Sequence, residues 1–532
     1  MASSILGNIG SRSTPQMERT PGRTDEVQNS AGGFVFGIDK WARLERFLIL
    51  GVDAGTYYTQ PRKLAVDNAA IVEACLDDDY SRTIDTAVRI SLEGRAPNND
   101  PALFVLAVGA SHPDAAARRY ALSKLNDVAR IGTHLFHFVA FAQSRRGWGR
   151  ALASAVANWY TTKEADDLAW QVVKYRQRDG WSHRDVLRKA HPKATGSLNH
   201  VLRFAAGQNL MRGGDVLDDE PRILEGFAKI QEASDAAEAA ELVREYRLPW
   251  ETVPSPLMAG DTVWRALLET PGALPLGALL RNLGVLTNRG LLTGDILKDV
   301  KARLTDEEAI RKARIHPVGV LNAMITYANG VSRGGVGWSP VAGISNALDS
   351  AFYTAFGNVE PTGKRTMLAL DVSGSMGWAA CTGAAFNARQ GSTAMAMVTE
   401  AVEDDVIVTG FCDTLRTLDI SSRRRLDDNI AAIDRLPFGR TDCAQPMLWA
   451  TANKVDVDTF CVYTDNETWA GQIKPVQALR QYRERTGITA KLIVVGMTAT
   501  EFSIADPSDA GMLDVVGFDT AAPNVISGFS AA

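Results

Sequence analysis

The hydrophobic period of this chain changes once, near Gly363, and that change limits the fold more than any other feature. From about Trp41 to about Phe356, apolar residues recur at three- and four-residue steps, as in "DPALFVLAVGASHPDAAARRYAL" and "EGFAKIQEASDAAEAAELVREYRL". Breakers at Pro113, Pro192, Pro249, Pro254, Pro256 and Pro271 cut this half into helices of about 10–20 residues. Almost no alternating strand pattern interrupts them. Helix pairs of that length over roughly 300 residues predict an α-solenoid of HEAT type rather than one compact bundle. Beyond Gly363, "TMLALD", "DVIVTGF", "TFCVYTD", "AKLIVVGM" and "DVVGF" read as strands. The helices "STAMAMVTEAVEDD", "RLDDNIAAIDRL", "CAQPMLWATANK" and "PVQALRQYRERTG" lie between them. Alternating units with continuously apolar strands predict a doubly wound, mostly parallel sheet covered on both faces. The expected class is therefore α + α/β: a flexible arm over residues 1–30, a helical-repeat domain over 31–362 and an α/β domain over 363–532.

Parallel sheets of this kind bind ligands outside the carboxyl ends of their strands. In "LALDVSGSMGW" an apolar run stops at Asp371, and Ser373 and Ser375 follow at every second position. Residues i, i+2 and i+4 of an extended loop project the same way, so three oxygens can converge. One carboxylate and two hydroxyls are hard ligands that suit Mg²⁺ or Mn²⁺. Asp465 ends a later strand in "CVYTDNETW", and Thr441 sits in the Gly-containing loop "PFGRTDCAQPM" just before a helix. Three loops thus bring oxygen ligands to one edge of the sheet.

Charge narrows where nucleic acid can bind. The chain of 532 residues carries a net charge of −5, so it is no general polyanion binder, and any such function is confined to a local patch. Lys174–Lys193, "KYRQRDGWSHRDVLRKAHPK", is that patch: seven Lys and Arg against two Asp, a net charge of +5. Its cations are Lys174, Arg176, Arg178, Arg184, Arg188, Lys189 and Lys193, interleaved with His183, His191, Tyr175 and Trp181. Upstream, "SRRGWGR" adds Arg145, Arg146 and Arg150. Cations with stacking-capable rings make an RNA surface, although Trp181 taken alone is expected in the core. An acidic stretch, Asp215–Glu220, limits how far that surface extends.

Other classes recede. No apolar run reaches about 18 residues, so no membrane span is expected. The N-terminus lacks a basic-then-apolar signal core, and its Ser, Thr, Pro, Gly and Arg content predicts a mobile arm. Five cysteines without a C-x-x-C pair fit reduced, buried thiols and a cytoplasmic protein. No P-loop, nucleophile elbow or H-E-x-x-H is present, so no catalytic residue is expected.

Two resemblances sharpen this reading. D-x-S-x-S with a threonine and an aspartate in two further loops resembles the metal-ion-dependent adhesion site (MIDAS) of von Willebrand factor A domains. That implies Mg²⁺ or another divalent cation, with Ser373, Ser375 and Thr441 as direct ligands and Asp371 and Asp465 acting directly or through water. The strings "RRGWGR", "RIGTHLFHFVAFA", "VKYRQRDGWSHRDVLRKAHPK" and "EPTGKRTMLALDVSGSM" resemble the Ro (TROVE-domain) proteins, bacterial members in particular, and the likeness covers nearly the whole chain. It implies a HEAT-like helical ring closed by the A domain, monomeric, with a hole wide enough for single-stranded RNA. It also implies binding of small non-coding Y RNA on the outer basic surface, where Lys174, Arg178 and His191 match the contacting positions. Misfolded or structured RNAs entering the hole by their 3′ ends, and an exoribonuclease such as polynucleotide phosphorylase, are the further partners implied. The alternative from a different class is a protein-interaction adaptor whose A domain grips a partner carboxylate through the metal.

Overall fold

The computed structural model describes residues 13–37, 39–50, 69–94, 99–208, 221–313, 315–332, 335–359, 361–378, 381, 385–436, 439–497, 502–516 and 522–531. The acidic stretch at Asp215–Glu220 lies outside them. Along the chain come strands β1 (Glu26–Gln28) and β2 (Phe34–Gly37), then helices α1 (Ala69–Glu93), α2 (Asp100–Ser111), α3 (Gly132–Arg145), α4 (Arg150–Thr161) and α5 (Ala165–Lys174). A small hairpin, β3 (Gln177–Arg178) and β4 (Trp181–Ser182), precedes α6 (His183–Ala190), α7 (Gly196–Ala205), α8 (Arg222–Glu232), α9 (Ala236–Tyr246) and α10 (Asp261–Glu269). Further helices lead to β5 (Thr366–Asp371), α11 (Ala388–Val402), β6 (Val406–Phe411), β7 (Leu415–Thr417), α12 (Leu426–Asp434), α13 (Gln445–Asn453), β8 (Thr459–Thr464), α14 (Pro475–Thr486), β9 (Lys491–Gly496), β10 (Phe502–Ser503) and β11 (Met512–Val516).

Two compact units result. The helical one spans residues 61–309 and 327–347. Successive helices pack on their neighbours, α2 between α1 and α3, and α9 between α8 and α10. Helix α2, opened by Pro101 in its first turn, buries every residue from Pro101 to Gly109. A helix apolar all round belongs at the centre of such a stack. Gly109 permits the close approach, since a Cβ there would lie 2.9 Å from the Cβ of Ala121.

The second unit spans residues 1–60, 310–326 and 348–532, wider than the 363–532 expected. Its sheet has the order β11-β9-β8-β5-β6-β7, parallel throughout except for the edge strand β7. Every residue of β5 and β8 is buried, as strands covered on both faces require. One apolar core joins β5, β8 and β9 to α13 and α14, and Val35 and Phe36 of β2 belong to it.

That membership corrects the mobile arm over residues 13–30, residues 1–12 lying outside the described residues. Residues 13–37 are fastened to the α/β unit: β2 pairs antiparallel with β1 and with β10, some 465 residues later in the chain. Glu26 and Lys474 form a buried ion pair at 2.5 Å, and Arg23 holds Asp506 at 2.5 Å. The arm's polar composition is spent on these specific bonds rather than on water.

Candidate functional sites

In the α/β unit the chain leaves β5 for β6 on one side and returns to β8 on the other. The carboxyl ends of β5 and β8 therefore flank the topological switch point, where the crevice of such a sheet opens. Asp371 is the last residue of β5, and Asp465 directly follows β8. Asp371 is 1% exposed. One of its oxygens accepts the N–H of Ser373 at 2.8 Å, and the other accepts the hydroxyl of Thr464 at 2.9 Å. Burial, and then the neighbouring Asp465 carboxylate, push its pKa up to about 7. The Ser373 and Ser375 hydroxyls meet at 3.1 Å. The carbonyl of Thr441 accepts the N–H groups of Trp469 and Ala470, both at 3.0 Å, which ties the third loop to the one carrying Asp465.

The donor set fits a hard divalent cation. Two buried carboxylates that repel, beside converging hydroxyls, is the arrangement a 2+ charge relieves. Among the described residues no group of three or more His, Cys, Asp or Glu is placed to hold a metal. Two carboxylates beside the paired hydroxyls of Ser373 and Ser375 differ from such a cluster in kind, because neutral oxygens leave charge to be completed by another ligand.

Three residues that sequence reading missed support this crevice. Arg389, buried at the start of α11, donates to the Ser373 carbonyl at 3.0 Å and to Asp434 at 2.7 Å. Gln16 donates to Asp442 at 2.6 Å and to the Ile473 carbonyl at 2.9 Å, and it accepts the Thr468 hydroxyl at 2.6 Å. Asn29 adds a bond to the Thr468 carbonyl at 2.9 Å. Glu467 accepts the Ala31 N–H at 3.0 Å, which engages it with the N-terminal segment. An arginine in the otherwise uncharged "FNARQGSTAMAMV" was a legible signal for Arg389; Gln16 offers none.

The basic segment folds around the β3–β4 hairpin, which the helical period did not reveal. Asp179 and Gly180 both have positive φ, 52° and 77°, the backbone of a two-residue type I′ turn. Arg178 thereby stands opposite Trp181. Ser182 then caps α6 by accepting the Asp185 N–H, and Asp185 caps in return. Arg176, Arg178, Arg184, Arg188, Lys189 and His191 are exposed. Arg146 and Arg150 are exposed as well. Asp185, which feels the charges of Arg188 and Arg184, is held low in pKa first by its bond to Ser182. Arg178, Arg184 and Arg188 make no ion pair with another described residue.

Three of the expected contacts have partners within the fold. His183 is a core residue: 3% exposed, bonded to the Tyr160 hydroxyl at 2.8 Å and packed edge-on against Phe136. It is the first residue of α6, and that end of the helix turns inward against α4. Lys174 is half-buried, 3.6 Å from Glu251 and 5.5 Å from the rings of Trp170 and Tyr175. Arg145 pairs with Glu73. Trp181, expected in the core, keeps part of its surface open.

Comparisons with known proteins agree with this arrangement. The TROVE domain profile matches residues 27–223 and 245–333, and the Ro60 vWA domain profile matches residues 365–530. The chain is 45% identical over 535 residues to RNA-binding protein RO60 of Deinococcus radiodurans, covering 99% of each. It is 34% identical over 590 residues to the protein of the same name from Caenorhabditis elegans, covering 97% of this chain and 91% of that one. The crystal structure of the D. radiodurans RO (RSR) protein matches with a TM-score of 0.76 at 46% identity, covering 93% of this chain and 99% of that one. A helical-repeat unit bearing a basic face, an α/β unit bearing a hydroxyl-rich crevice, and identity along their whole length place this chain in the TROVE-domain Ro60 family.

Proposed function

We propose that this chain is an RNA-binding protein that holds small non-coding Y RNA on the exposed basic face and takes part in the quality control, maturation or decay of non-coding RNA. The observation that carries this is the row of cations Arg178, Arg184 and Arg188, unpaired within the described residues, on an acidic chain. No described carboxylate forms an ion pair with them, and charge left open in this way suits a polyanion from outside. The relatives' printed names point the same way and describe binding, not catalysis. Structured or misfolded RNAs with single-stranded 3′ ends are the second class of ligand, and an exoribonuclease such as polynucleotide phosphorylase is the protein partner. The protein acts as a cytoplasmic monomer; among the described residues no helix is long and apolar enough to cross a membrane. Arg178→Ala combined with Arg188→Ala should weaken binding of a structured small RNA several-fold. The same pair should lower the slope of log affinity against log salt by about 1–2, as fewer counterions are released. Unchanged affinity and slope in a filter-binding titration would remove the assignment.

The crevice is read as a Mg²⁺ site held by Ser373, Ser375 and Thr441, with Asp371 and Asp465 directly or through water. Its role is to take a carboxylate from a partner, which is how the adaptor reading joins the RNA one. Trp378, 90% exposed three residues beyond Ser375, favours that role, since a large bare ring beside a polar crevice suits a protein surface.

A further inference from the structure

The basic face contains a feature that charge alone does not explain. Trp148 and Trp181, 33 residues apart in sequence, stack with ring centroids 5.9 Å apart and planes 23° from parallel. Lys189 places its ammonium 5.7 Å from one ring centre and 6.0 Å from the other. The pair is held from both ends. The Trp148 indole N–H donates to the Lys189 carbonyl at 3.0 Å, and Trp181 is fixed in β4 by the tight turn at Asp179 and Gly180. Trp159, by contrast, is fully buried, its indole N–H bonded to the Ala129 carbonyl. Trp148 and Trp181 are only partly buried, so they stay partly open to water although their rings are fixed.

Rigid, half-open indoles flanked by cations are costly to expose and poor at filling a core. They are well suited to a flat, π-rich ligand carrying negative charge. We propose that the Trp148–Trp181 pair, with Lys189 beside both rings and Arg178 opposite Trp181, is a stacking subsite for an unpaired base of single-stranded RNA. Base-on-indole stacking is tolerant of base identity, and the cations hold the adjoining phosphates. A paired helix presents no free base face, so duplex RNA gains nothing here. The inference rests on the RNA-binding reading above and adds to it a site that distinguishes unpaired from paired RNA.

The test titrates the full chain with a fluorescein-labelled ten-nucleotide oligouridine and with a blunt RNA duplex of equal charge. Trp148→Ala should weaken oligouridine binding by roughly tenfold, the loss of one stacked base. It should leave the duplex affinity and the salt slope unchanged, because no phosphate contact is removed. Trp148→Phe should recover most of the loss. Quenching of tryptophan fluorescence by oligouridine should be smaller in Trp148→Phe than in the wild type. An oligouridine affinity in Trp148→Ala equal to that of the wild type would overturn the subsite. So would an equal loss for oligouridine and duplex accompanied by a lower melting temperature, since the indole would then only support the fold. If Arg178→Ala with Arg188→Ala also binds both RNAs like the wild type, the RNA reading itself fails, whatever the tryptophan shows.

Discussion

His183 sits in the most basic stretch of the chain, yet its imidazole is enclosed by Phe136, Trp159 and Tyr160. Burial pulls its pKa down to about 4, against 6.5 for a free histidine, so the folded protein keeps the ring neutral. The unfolded chain binds that proton first as pH falls. Its stabilising contribution is therefore complete above about pH 6.5 and is lost progressively down to about pH 4, on the order of 3 kcal/mol at most. His134 and His316 are also lowered to about 4, each mainly by burial, and act in the same direction. The urea midpoint should fall between pH 7 and pH 5, and a flat profile over that range would show these rings to be hydrated. At the crevice, saturating Mg²⁺ should raise the melting temperature of the wild type, with about 2.7 kcal/mol available at one hundred times Kd. Asp371→Ala should abolish the response, and its melting temperature in EDTA separates loss of metal from loss of fold. Gln16→Ala leaves Asp442 and Thr468 each short of a buried hydrogen bond. Calorimetry should register a loss of about 1–3 kcal/mol, with the Mg²⁺ response weakened rather than absent.

The β3–β4 hairpin sets where Arg178 and Trp181 stand, through Gly180 at φ 77°. Gly180→Val places a β-branched residue in the left-handed region, at a cost of about 1–2 kcal/mol. Both chemical denaturation and RNA affinity should report it; a variant that loses stability but binds RNA normally would uncouple the hairpin from recognition. Elements of this kind explain what was and was not legible. The five core strands and four helices of the α/β half were readable because each is a continuous apolar run or a periodic face several residues long. Asp371, Ser373 and Ser375 were readable because their geometry is local to one loop. The hairpin has two residues per strand, too few for alternation to show, although Asp-Gly itself marks the turn. β2 gains its second partner from β10, and Asn29, just before it, bonds the loop at Thr468, both hundreds of residues away. No local period encodes that. His183 fails for the same reason: its neighbours Phe136 and Trp159 belong to other helices.

At the scale of the whole molecule the chain is a polyanion carrying one polycationic strip, and this decides how it meets RNA. Net charge −5 repels phosphate generally, while +5 over twenty residues attracts it locally, so binding should be confined to few phosphates and should weaken with salt. A blunt stem can use only such phosphate contacts. A stem with a 3′ single-stranded tail offers unpaired bases in addition, which stack without releasing counterions and so survive salt. At about 0.15 M salt, where non-specific phosphate contacts have weakened, the tailed stem should therefore bind more tightly than the blunt one. Raising the salt further should weaken both affinities while leaving their ratio nearly unchanged, because only the shared electrostatic part declines. The preference should persist in His191→Ala, whose exposed imidazole lies at the end of α6 on the basic strip. Equal affinities for the two stems across that salt range would mean that the protein grips phosphate alone, and recognition of an RNA end would have to come from another protein instead.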